Sequence, residues 1–181
     1  MLSSRFLAVA LVLSLAGCDT TGIDDGQPVS VVVPVSPRQT YTLVSQDDAL
    51  DAPAVSLAGL GLAPGDPVCF RAEGDFNIAG TFYASENSQP LVSAVFSATD
   101  RLLGGSVRRR VPDAVEAGPD LVTRPSDRGA LDTDIPEDFD ATRLCLTVPS
   151  GARFVFFAAY DTYYADNSNI PGTPFGVRVE G

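Results

Sequence analysis

The sequence predicts an all-β protein folded as an antiparallel β-sandwich of the jelly-roll type. Short apolar runs with strand-like alternation recur along the chain, and turns rich in glycine and proline separate them. The chain has no heptad pattern, no amphipathic helical period over a useful length and no internal repeat. A helical bundle and a solenoid are therefore both disfavoured.

In the first half of the chain, strands are predicted at residues 40–44, 55–62 and 68–72. Residues 63–66 contain a Pro-Gly pair, which predicts a turn before the third of these strands. Residues 28–35 have two interpretations. They form either an edge strand, because Pro34 has no N–H to donate to a ladder, or the end of a preceding tether.

In the second half, strands are predicted at residues 91–98, 144–148, 154–160 and 175–179. Between the first two of these, prolines and a Gly-Gly pair interrupt residues 99–130, where a short helix over residues 113–123 has weak support. Residues 107–111 contain three consecutive arginines. They predict an exposed strand or an anion-binding patch, although a run of like charges is usually a solvated face.

The N-terminus has the organisation of a bacterial export signal. Arg5 precedes a short apolar run over residues 6–15, too short for a spanning helix, and small residues follow it. The ending Leu-Ala-Gly-Cys18 resembles the lipobox of bacterial lipoproteins, which implies that Cys18 becomes the lipidated first residue of the mature protein. A soluble secreted protein cut nearby is the alternative.

This interpretation divides the chain into three parts. Residues 1–17 are a lipoprotein signal peptide, residues 18–38 contain the lipidated cysteine and a flexible tether, and residues 39–181 are the sandwich domain. Several acyl chains make a stable anchor, whereas one chain binds membranes only marginally. We therefore expect a protein anchored by lipid in the bacterial cell envelope, facing the periplasm or exposed at the cell surface.

Composition excludes several classes of function. The chain has 23 acidic and 12 basic residues, all of the latter arginine, for a net charge of −11 at pH 7. Such a charge disfavours nucleic acid, whose phosphates would be repelled. There is no histidine, so neither a Ser-His-Asp nor a Cys-His catalytic unit nor an imidazole metal site is available.

Two cysteines remain once Cys18 is assigned to lipidation. Cys69 and Cys145 both lie in apolar, strand-like runs. In an oxidising compartment such a pair predicts one disulfide, and two separate buried thiols are the alternative. Neither cysteine has a base beside it in sequence, so a nucleophilic role has little support.

Residues 154–179 are predicted to form a buried strand, an oxygen-rich loop and a second strand. The loop contains the carboxylates of Asp161 and Asp166 and the amides of Asn167 and Asn169. A hard cation such as Ca²⁺ prefers about six to eight oxygen ligands of these types. The loop is therefore a candidate calcium site. A plain β-hairpin loop is the equal alternative, because Asp, Asn and Ser are also common turn residues.

Three motifs in this order resemble galactose-binding-like β-sandwich domains. Residues 62–66 (LAPGD) with residues 68–74 (VCFRAEG) resemble one strand of these domains, and residues 148–161 (VPSGARFVFFAAYD) resemble another. Residues 164–168 (YADNS) are similar to the Asp-Asn-Ser-Gly calcium loop. Together the motifs resemble the calcium-dependent, galactose-binding bacterial lectins of the PA-I type, over about residues 40–181 with a poorly matched middle.

The resemblance implies a calcium ligand set. Side-chain oxygens of Asp161, Asp166 and Asn167 would bind the ion. Main-chain carbonyl oxygens of Tyr164 and of Ile78 would complete the shell.

The resemblance also implies a carbohydrate ligand, because calcium in those lectins holds two sugar hydroxyls. Asp161, Asn167, Asn169 and Tyr163 would then contact the sugar. The chain departs from the lectin pattern at three points. Asn169 stands where the pattern has glycine, although Asn tolerates positive φ. The spacing from Asp161 to the Asp166-Asn167 pair is tighter than in the lectins, though close to that of the broader family, and the sugar-contacting histidine of the lectins has no counterpart.

Three functions compete on these features. The first is an envelope lipoprotein that binds a carbohydrate through calcium. Aromatic side chains could supply surfaces on which the sugar stacks, although core packing is the more usual role for each of them: Phe82, Tyr83, Tyr160, Tyr163 and Tyr164. The second is a calcium-stabilised structural or protein-interaction module of the envelope without a sugar site. The third is a glycosidase that uses two acids from the group Asp132, Asp134, Glu137 and Asp138. Acidic clusters in proline-containing loops are mostly solvated, so we expect a protein that is not an enzyme.

Overall fold

A computed structural model of the chain describes residues 29–44, 48–79, 82–84, 91–118, 135–161 and 163–181. The predicted signal peptide, Cys18, Asp132 and Asp134 lie outside the described residues, as do the side chains of Phe82 and Tyr83. The described chain consists almost entirely of strands and loops, with antiparallel pairing in its large sheets. The predicted all-β sandwich is therefore confirmed.

The strands of the described chain, numbered in chain order, are β1 (Ser30–Pro34), β2 (Gln39–Thr40), β3 (Leu50–Asp51), β4 (Val55–Ser56), β5 (Pro67–Glu73), β6 (Phe76–Ile78), β7 (Phe82–Ala84), β8 (Val92–Ser97), β9 (Ala114–Val115), β10 (Phe139–Asp140), β11 (Arg143–Thr147), β12 (Phe154–Ala159), β13 (Ser168–Asn169) and β14 (Gly176–Glu180). A short 3₁₀-helix spans Ala58–Leu60.

Two larger antiparallel sheets form the sandwich. The first has the order β1-β14-β5-β11, and the second has the order β10-β8-β12-β4, with β9 also paired to β8. A smaller antiparallel sheet has the order β13-β6-β7, and β2 and β3 form a parallel pair. Strands β1 and β11 are therefore the edges of the first sheet.

Strand β5 packs the first sheet onto the second. Its alternation buries Val68, Phe70 and Ala72 on one face, as the sequence predicts. The Phe70 ring lies 6.0, 5.8 and 5.7 Å from three rings of the second sheet, measured between centroids: Phe96, Phe139 and Phe157. Burial of one such side chain contributes about 1.5–3 kcal/mol to stability. This aromatic cluster is thus a major contact between the two sheets.

Strands β8 and β12 pair along their whole length and are buried on both faces. The inner face, which includes Phe96 and Phe157, packs in the sandwich core. The outer face, which includes Val95 and Phe156, packs against Tyr41 and other residues of a second apolar cluster. We call the chain that covers this outer face, residues 36–44, 48–54 and 102–111, the outer layer.

The domain begins before residue 39, the predicted boundary. β1 pairs with β14 along its whole length. Val29 and Gly181 also exchange main-chain hydrogen bonds, with N···O distances of 2.9 and 3.0 Å. Residues 29–38 therefore belong to the sandwich rather than to a tether. Pro34 ends β1 at the edge of the sheet, which fits the edge-strand interpretation.

The predicted strand at residues 40–44 is wrong beyond Thr40. The buried guanidinium of Arg110 donates from Nη1 to the carbonyl oxygens of Thr40 and Thr42, at 3.3 and 3.0 Å. The Thr42 N–H donates to Oγ1 of Thr40 at 3.0 Å, which turns the chain. The carbonyl oxygen of Thr40 also accepts the N–H of Ala52, which follows β3, at 3.0 Å, so the pairing of β2 with β3 ends here and the chain turns at Thr42.

Arg110 also corrects the interpretation of the arginine run. Arg108 and Arg109 are exposed, but the side chain of Arg110 is completely buried. Its Nε donates to the carbonyl oxygen of Leu103 at 2.9 Å, and its Nη2 pairs with the carboxylate of Asp51. The run is therefore neither an exposed strand nor a wholly solvated face, because its third member binds the outer layer together.

The predicted strand over residues 55–62 is present only as β4. The chain then turns into the 3₁₀-helix, and the N–H of Leu60 donates to the carbonyl oxygen of Leu57 at 2.9 Å. Gly61 follows with φ of 75°, a left-handed conformation that ends the helix and that glycine adopts readily. An apolar run containing two glycines is thus compatible with a buried helical turn as well as with a strand.

The hairpin interpretation of residues 154–179 is wrong. β12 lies in the second sheet between β8 and β4, whereas β14 lies in the first sheet between β1 and β5. The oxygen-rich segment therefore crosses from one sheet of the sandwich to the other. Within this crossing, β13 pairs with β6 of the small sheet.

The predicted disulfide is present. Cys69 and Cys145 lie directly opposite each other on β5 and β11, with 4.0 Å between their Cα atoms and a sequence separation of 76. Both lie on the face of the first sheet that points away from the core, where Cys145 is exposed. The bridge therefore holds edge strand β11 to the sheet without occupying core volume.

We expect replacement of both bridging cysteines, Cys69→Ser with Cys145→Ser, to lower the free energy of unfolding by about 2–4 kcal/mol. The loss arises mainly because the unfolded chain is no longer restrained, so the circular dichroism of the folded state should not change. Urea unfolding measures the difference, and a reducing agent should reproduce it in the wild type alone. A double variant as stable as the oxidised wild type would contradict this assignment.

Candidate functional site

The candidate site begins where the chain leaves β12. The N–H of Tyr160 donates to the carbonyl oxygen of Leu91 at 2.8 Å, which fixes the start of the segment that contains Asp161. A turn follows, in which the N–H of Asn167 donates to the carbonyl oxygen of Tyr164 at 3.2 Å. The segment then enters β13. Asp166 and Asn167 therefore lie in a turn held between the second sheet and the small sheet.

Asn167 is the best-fixed polar side chain of this segment. It is only 3% exposed, and its Nδ2 donates to the carbonyl oxygen of Pro37 in the outer layer at 3.0 Å. That hydrogen bond sets the orientation of the amide. The Oδ1 atom of Asn167 is buried and accepts no hydrogen bond from any residue that the structure describes. A buried acceptor left without a donor costs about 1–3 kcal/mol.

The neighbouring carboxylates add further buried oxygens. Oδ1 of Asp166 is buried and likewise has no donor among the described residues. Oδ2 of Asp161 is also shielded from solvent, and the residue as a whole is half-buried. The segment thus places shielded oxygens of two carboxylates and one amide near the junction of the two sheets.

Strand pairing brings Ile78 to the same segment. In the pairing of β13 with β6, Ser168 lies opposite Asn77 and Asn169 lies opposite Phe76. The same register carried one residue further places Ile78 opposite Asn167. Ile78, which ends β6, therefore lies one position beyond the residues of β6 that pair with β13.

The other predicted ligand contacts differ in accessibility. Asn169 is exposed on β13 and lines a shallow groove. Tyr163 is half-buried, whereas Tyr164 is 4% exposed and belongs to the sandwich core. Core packing therefore accounts for the ring of Tyr164. Among the predicted sugar contacts, Asn169 is therefore exposed, Asp161 and Tyr163 are half-buried, and Asn167 is buried.

The donor set fits a hard cation. Within the described ranges, no group of three or more His, Cys, Asp or Glu side chains is placed to hold a metal ion. The candidate site has two carboxylates, so amide and main-chain oxygens would have to supply the remaining ligands. Oxygen-only sets of this kind suit Ca²⁺, which tolerates irregular geometry, better than Zn²⁺, which prefers nitrogen and sulfur.

Asp138 is a second buried polar residue, and it lies beside the outer layer. The sequence predicted it to be a solvated acid. Asp138 is fully buried, and the hydroxyl of Tyr41 donates to its Oδ2 at 3.4 Å. Burial, and then the charge of Asp138, raise the pKa of Tyr41 well above its usual value. Glu137 pairs with Arg109 instead, at 2.6 Å. Glu137 and Asp138 therefore do not form an open carboxylate pair.

Comparisons of the chain with known protein families, with curated proteins and with solved structures find no match. In the part of the chain that the structure describes, no helix has the length and apolar character needed to cross a membrane.

Tyr41 predicts a pH dependence of stability. Its folded-state pKa lies above its unfolded value, so its contribution is complete below about pH 10 and decreases as the pH rises further. Above pH 10 the unfolded state releases the proton of Tyr41 and the folded state retains it. The free energy of unfolding therefore falls by about 1.4 kcal/mol per pH unit.

We therefore expect Tyr41→Phe to lose less stability than the wild type between pH 8 and about pH 11. Urea unfolding at both pH values measures this, and the other tyrosines cancel in the difference. Parallel losses in the two proteins would contradict the assignment. Tyr41→Phe also removes the hydroxyl that donates to Asp138, which can change stability at every pH. The loss of stability is therefore measured for each protein relative to its own value at pH 8.

Proposed function

We propose that this protein is a lipid-anchored lipoprotein of the bacterial cell envelope whose sandwich binds Ca²⁺ and, through the ion, a carbohydrate. The observation that carries the proposal is that two consecutive residues each hold a buried oxygen, Oδ1 of Asp166 and Oδ1 of Asn167, that accepts no hydrogen bond from any described residue. A bound cation would satisfy both atoms. The proposal is also supported by the resemblance of residues 164–168 to a calcium loop.

The proposed ligands are oxygens that the fold holds near one turn. Asp161, Asp166 and Asn167 contribute side-chain oxygens. Tyr164 and Ile78 contribute carbonyl oxygens. The Tyr164 carbonyl already accepts the N–H of Asn167, but a carbonyl oxygen has a second lone pair. Two carboxylates would neutralise the charge of a divalent ion, and the bound ion would offer its remaining positions to water or to vicinal sugar hydroxyls.

The groove beside β13 supports the carbohydrate part of the proposal. Asn169 lines it together with Ser36 and Gln39 and several apolar residues, which include Ile170 and Phe175. Sugars present hydroxyls on their edges and C–H groups on their faces, so a groove with both kinds of surface suits them. The second candidate, a calcium-stabilised structural or interaction module, shares the ion and lacks the sugar.

Calcium titration of the purified protein tests the ion. We expect saturable binding by calorimetry and a rise in melting temperature, because the ion binds the folded state preferentially. Asp166→Asn should weaken binding by at least about tenfold, since it removes one charged ligand. Asp100→Asn, at an exposed carboxylate, is the matched control and should bind as the wild type does. Wild-type binding that Asp166→Asn leaves intact would reject this site.

A glycan array separates the two candidates. Binding that requires Ca²⁺ and disappears both with chelator and in Asp166→Asn favours the carbohydrate function. A blank array from a protein that calcium stabilises favours the structural module.

The anchor is tested independently, because Cys18→Ser should release the protein from the membrane fraction. Unchanged membrane association of that variant would contradict lipidation at Cys18.

A further inference from the structure

A groove lies at the end of the sandwich where β5 and β12 begin, and we call it the end groove. It has a volume of about 540 Å³, and volumes of roughly 300–1,000 Å³ are typical of small-molecule sites. Its apolar walls include Leu57, Leu62, Pro64 and Phe154. Of the described residues that line it, Arg153 alone carries a charge. The end groove thus combines apolar surface with a single guanidinium.

Main-chain hydrogen bonds join the walls of the end groove. The N–H of Leu57 donates to the carbonyl oxygen of Arg153 at 2.9 Å, which links the start of the 3₁₀-helix to the start of β12. The N–H of Gly65 donates to the carbonyl oxygen of Val148 at 2.9 Å, which links the turn before β5 to the chain that follows β11. The groove is therefore built into the backbone of the fold.

The guanidinium of Arg153 is available to a ligand. Arg153 is exposed, and its side chain makes no hydrogen bond or ion pair with any residue that the structure describes. Its main chain is fixed, because its N–H donates to the carbonyl oxygen of Ser97 at 2.9 Å. An arginine in this setting lays its apolar stem along an apolar wall and keeps its charged end in water. All five N–H donors of the guanidinium are then open.

The chain that leads back to Cys18 leaves the fold beside the end groove. Val29 is the first described residue, and it exchanges main-chain hydrogen bonds with Gly181. A side chain added at Gly61 would meet Cγ2 of Val29 at 3.1 Å, and one added at Gly181 would meet Leu62 of the groove wall. Val29 lies eleven positions after Cys18, so a lipid on Cys18 would hold this end within about 40 Å of the membrane.

The candidate calcium turn lies at the opposite end of the sandwich. It follows the end of β12, and the small sheet to which it leads follows the end of β5, whereas the end groove lies where both strands begin. β5 has seven residues, which extend over about 23 Å. That distance exceeds two Debye lengths of about 8 Å each at physiological ionic strength. The carboxylates of the turn therefore repel an anion in the end groove only weakly.

We propose that the end groove binds a phospholipid of the membrane that carries the anchor, with an acyl chain along the apolar walls and the phosphate paired with Arg153. A guanidinium presents parallel N–H donors that match two phosphate oxygens. The inference rests on the proposed lipidation of Cys18, because a tether of this length supplies the lipid at a high effective concentration and a weak contact then suffices. The end groove would face the membrane, and the candidate calcium turn would face away from it.

The experiment is a titration of the full chain carrying Cys18→Ser with dihexanoyl phosphatidylglycerol, kept below the concentration at which it forms micelles. Calorimetry and arginine Nε–H chemical shifts are the two measurements. We expect saturable binding that Arg153→Gln weakens at least about fivefold, because a charge-assisted hydrogen bond is lost. Ala58→Asp, which places a charge on an exposed part of the apolar wall, should weaken it as well. Arg108→Gln removes an exposed arginine of the outer layer and should bind as the starting protein does.

Glycerol phosphate and hexanoate are the comparison ligands, because the first lacks the acyl chains and the second lacks the phosphate. Either one binding as tightly as the phospholipid would overturn the proposal, as would absent binding or equal binding by Arg153→Gln and Arg108→Gln. All three substitutions change exposed side chains, so unchanged melting temperatures without lipid show that the variants fold. The titration uses a chain without the acylated cysteine, so its failure is distinct from a failure of lipidation, which the membrane fractionation of Cys18→Ser reports.

The orientation is measured on the lipidated protein in phospholipid vesicles. A fluorophore is attached at Ala63→Cys beside the end groove or at Ser168→Cys beside the candidate calcium turn, and both positions are exposed. A quencher carried on lipid headgroups should reduce the emission at position 63 several times more than the emission at position 168. Equal quenching, or stronger quenching at position 168, would contradict a membrane-facing end groove.

Discussion

The burial of both faces of the β8–β12 pair is the constraint on which the rest of the structure depends. These strands are apolar on both sides, so one sheet of the sandwich covers the inner face and the outer layer must cover the other. Arg110 holds that layer together, because its buried guanidinium donates to the carbonyl oxygens of Thr40, Thr42 and Leu103. The layer in turn places the carbonyl oxygen of Pro37 against the amide of Asn167. The candidate site is thus positioned by the packing of the apolar strand pair, of which β12 directly precedes the site in the chain.

The chemistry of the crossing segment follows from an excess of acceptors over donors. Pro37 takes the N–H of the Asn167 amide, which leaves the amide oxygen directed elsewhere. Asp166, the residue before Asn167, adds a buried carboxylate oxygen. The chain contains no lysine or histidine that could supply a positive charge here, and the guanidinium of Arg110 is committed to the outer layer. We propose a divalent cation as the partner of these oxygens, because its charge matches that of two carboxylates.

The sequence was sufficient for features that depend on local pattern. Alternation identified β5, continuous apolar runs identified β8 and β12, and the two cysteines available for pairing predicted the bridge between β5 and β11. It failed where distant groups decide the outcome. The alternating residues after Thr40 do not form a strand, because the N–H of Thr42 donates to Oγ1 of Thr40 and Arg110, far along the chain, donates to the carbonyl oxygen of Thr42. Spacing alone indicated that residues 161–169 were rich in oxygen. It did not indicate that the segment crosses between sheets, or that Asn167 is oriented by Pro37.

Terbium luminescence tests the central claim most directly. Tb³⁺ replaces Ca²⁺ at oxygen sites and emits when a nearby aromatic ring is excited, and the chain has tyrosine but no tryptophan to act as the donor. Tyr163 and Tyr164 flank the proposed ligands in sequence. Tyrosine-sensitised emission that calcium displaces, and that Asp166→Asn abolishes while Asp100→Asn preserves, is the result that a cation at this turn requires. A folded wild-type protein that gives no sensitised emission, or emission that both variants preserve, would show that the buried oxygens of Asp166 and Asn167 do not bind a cation.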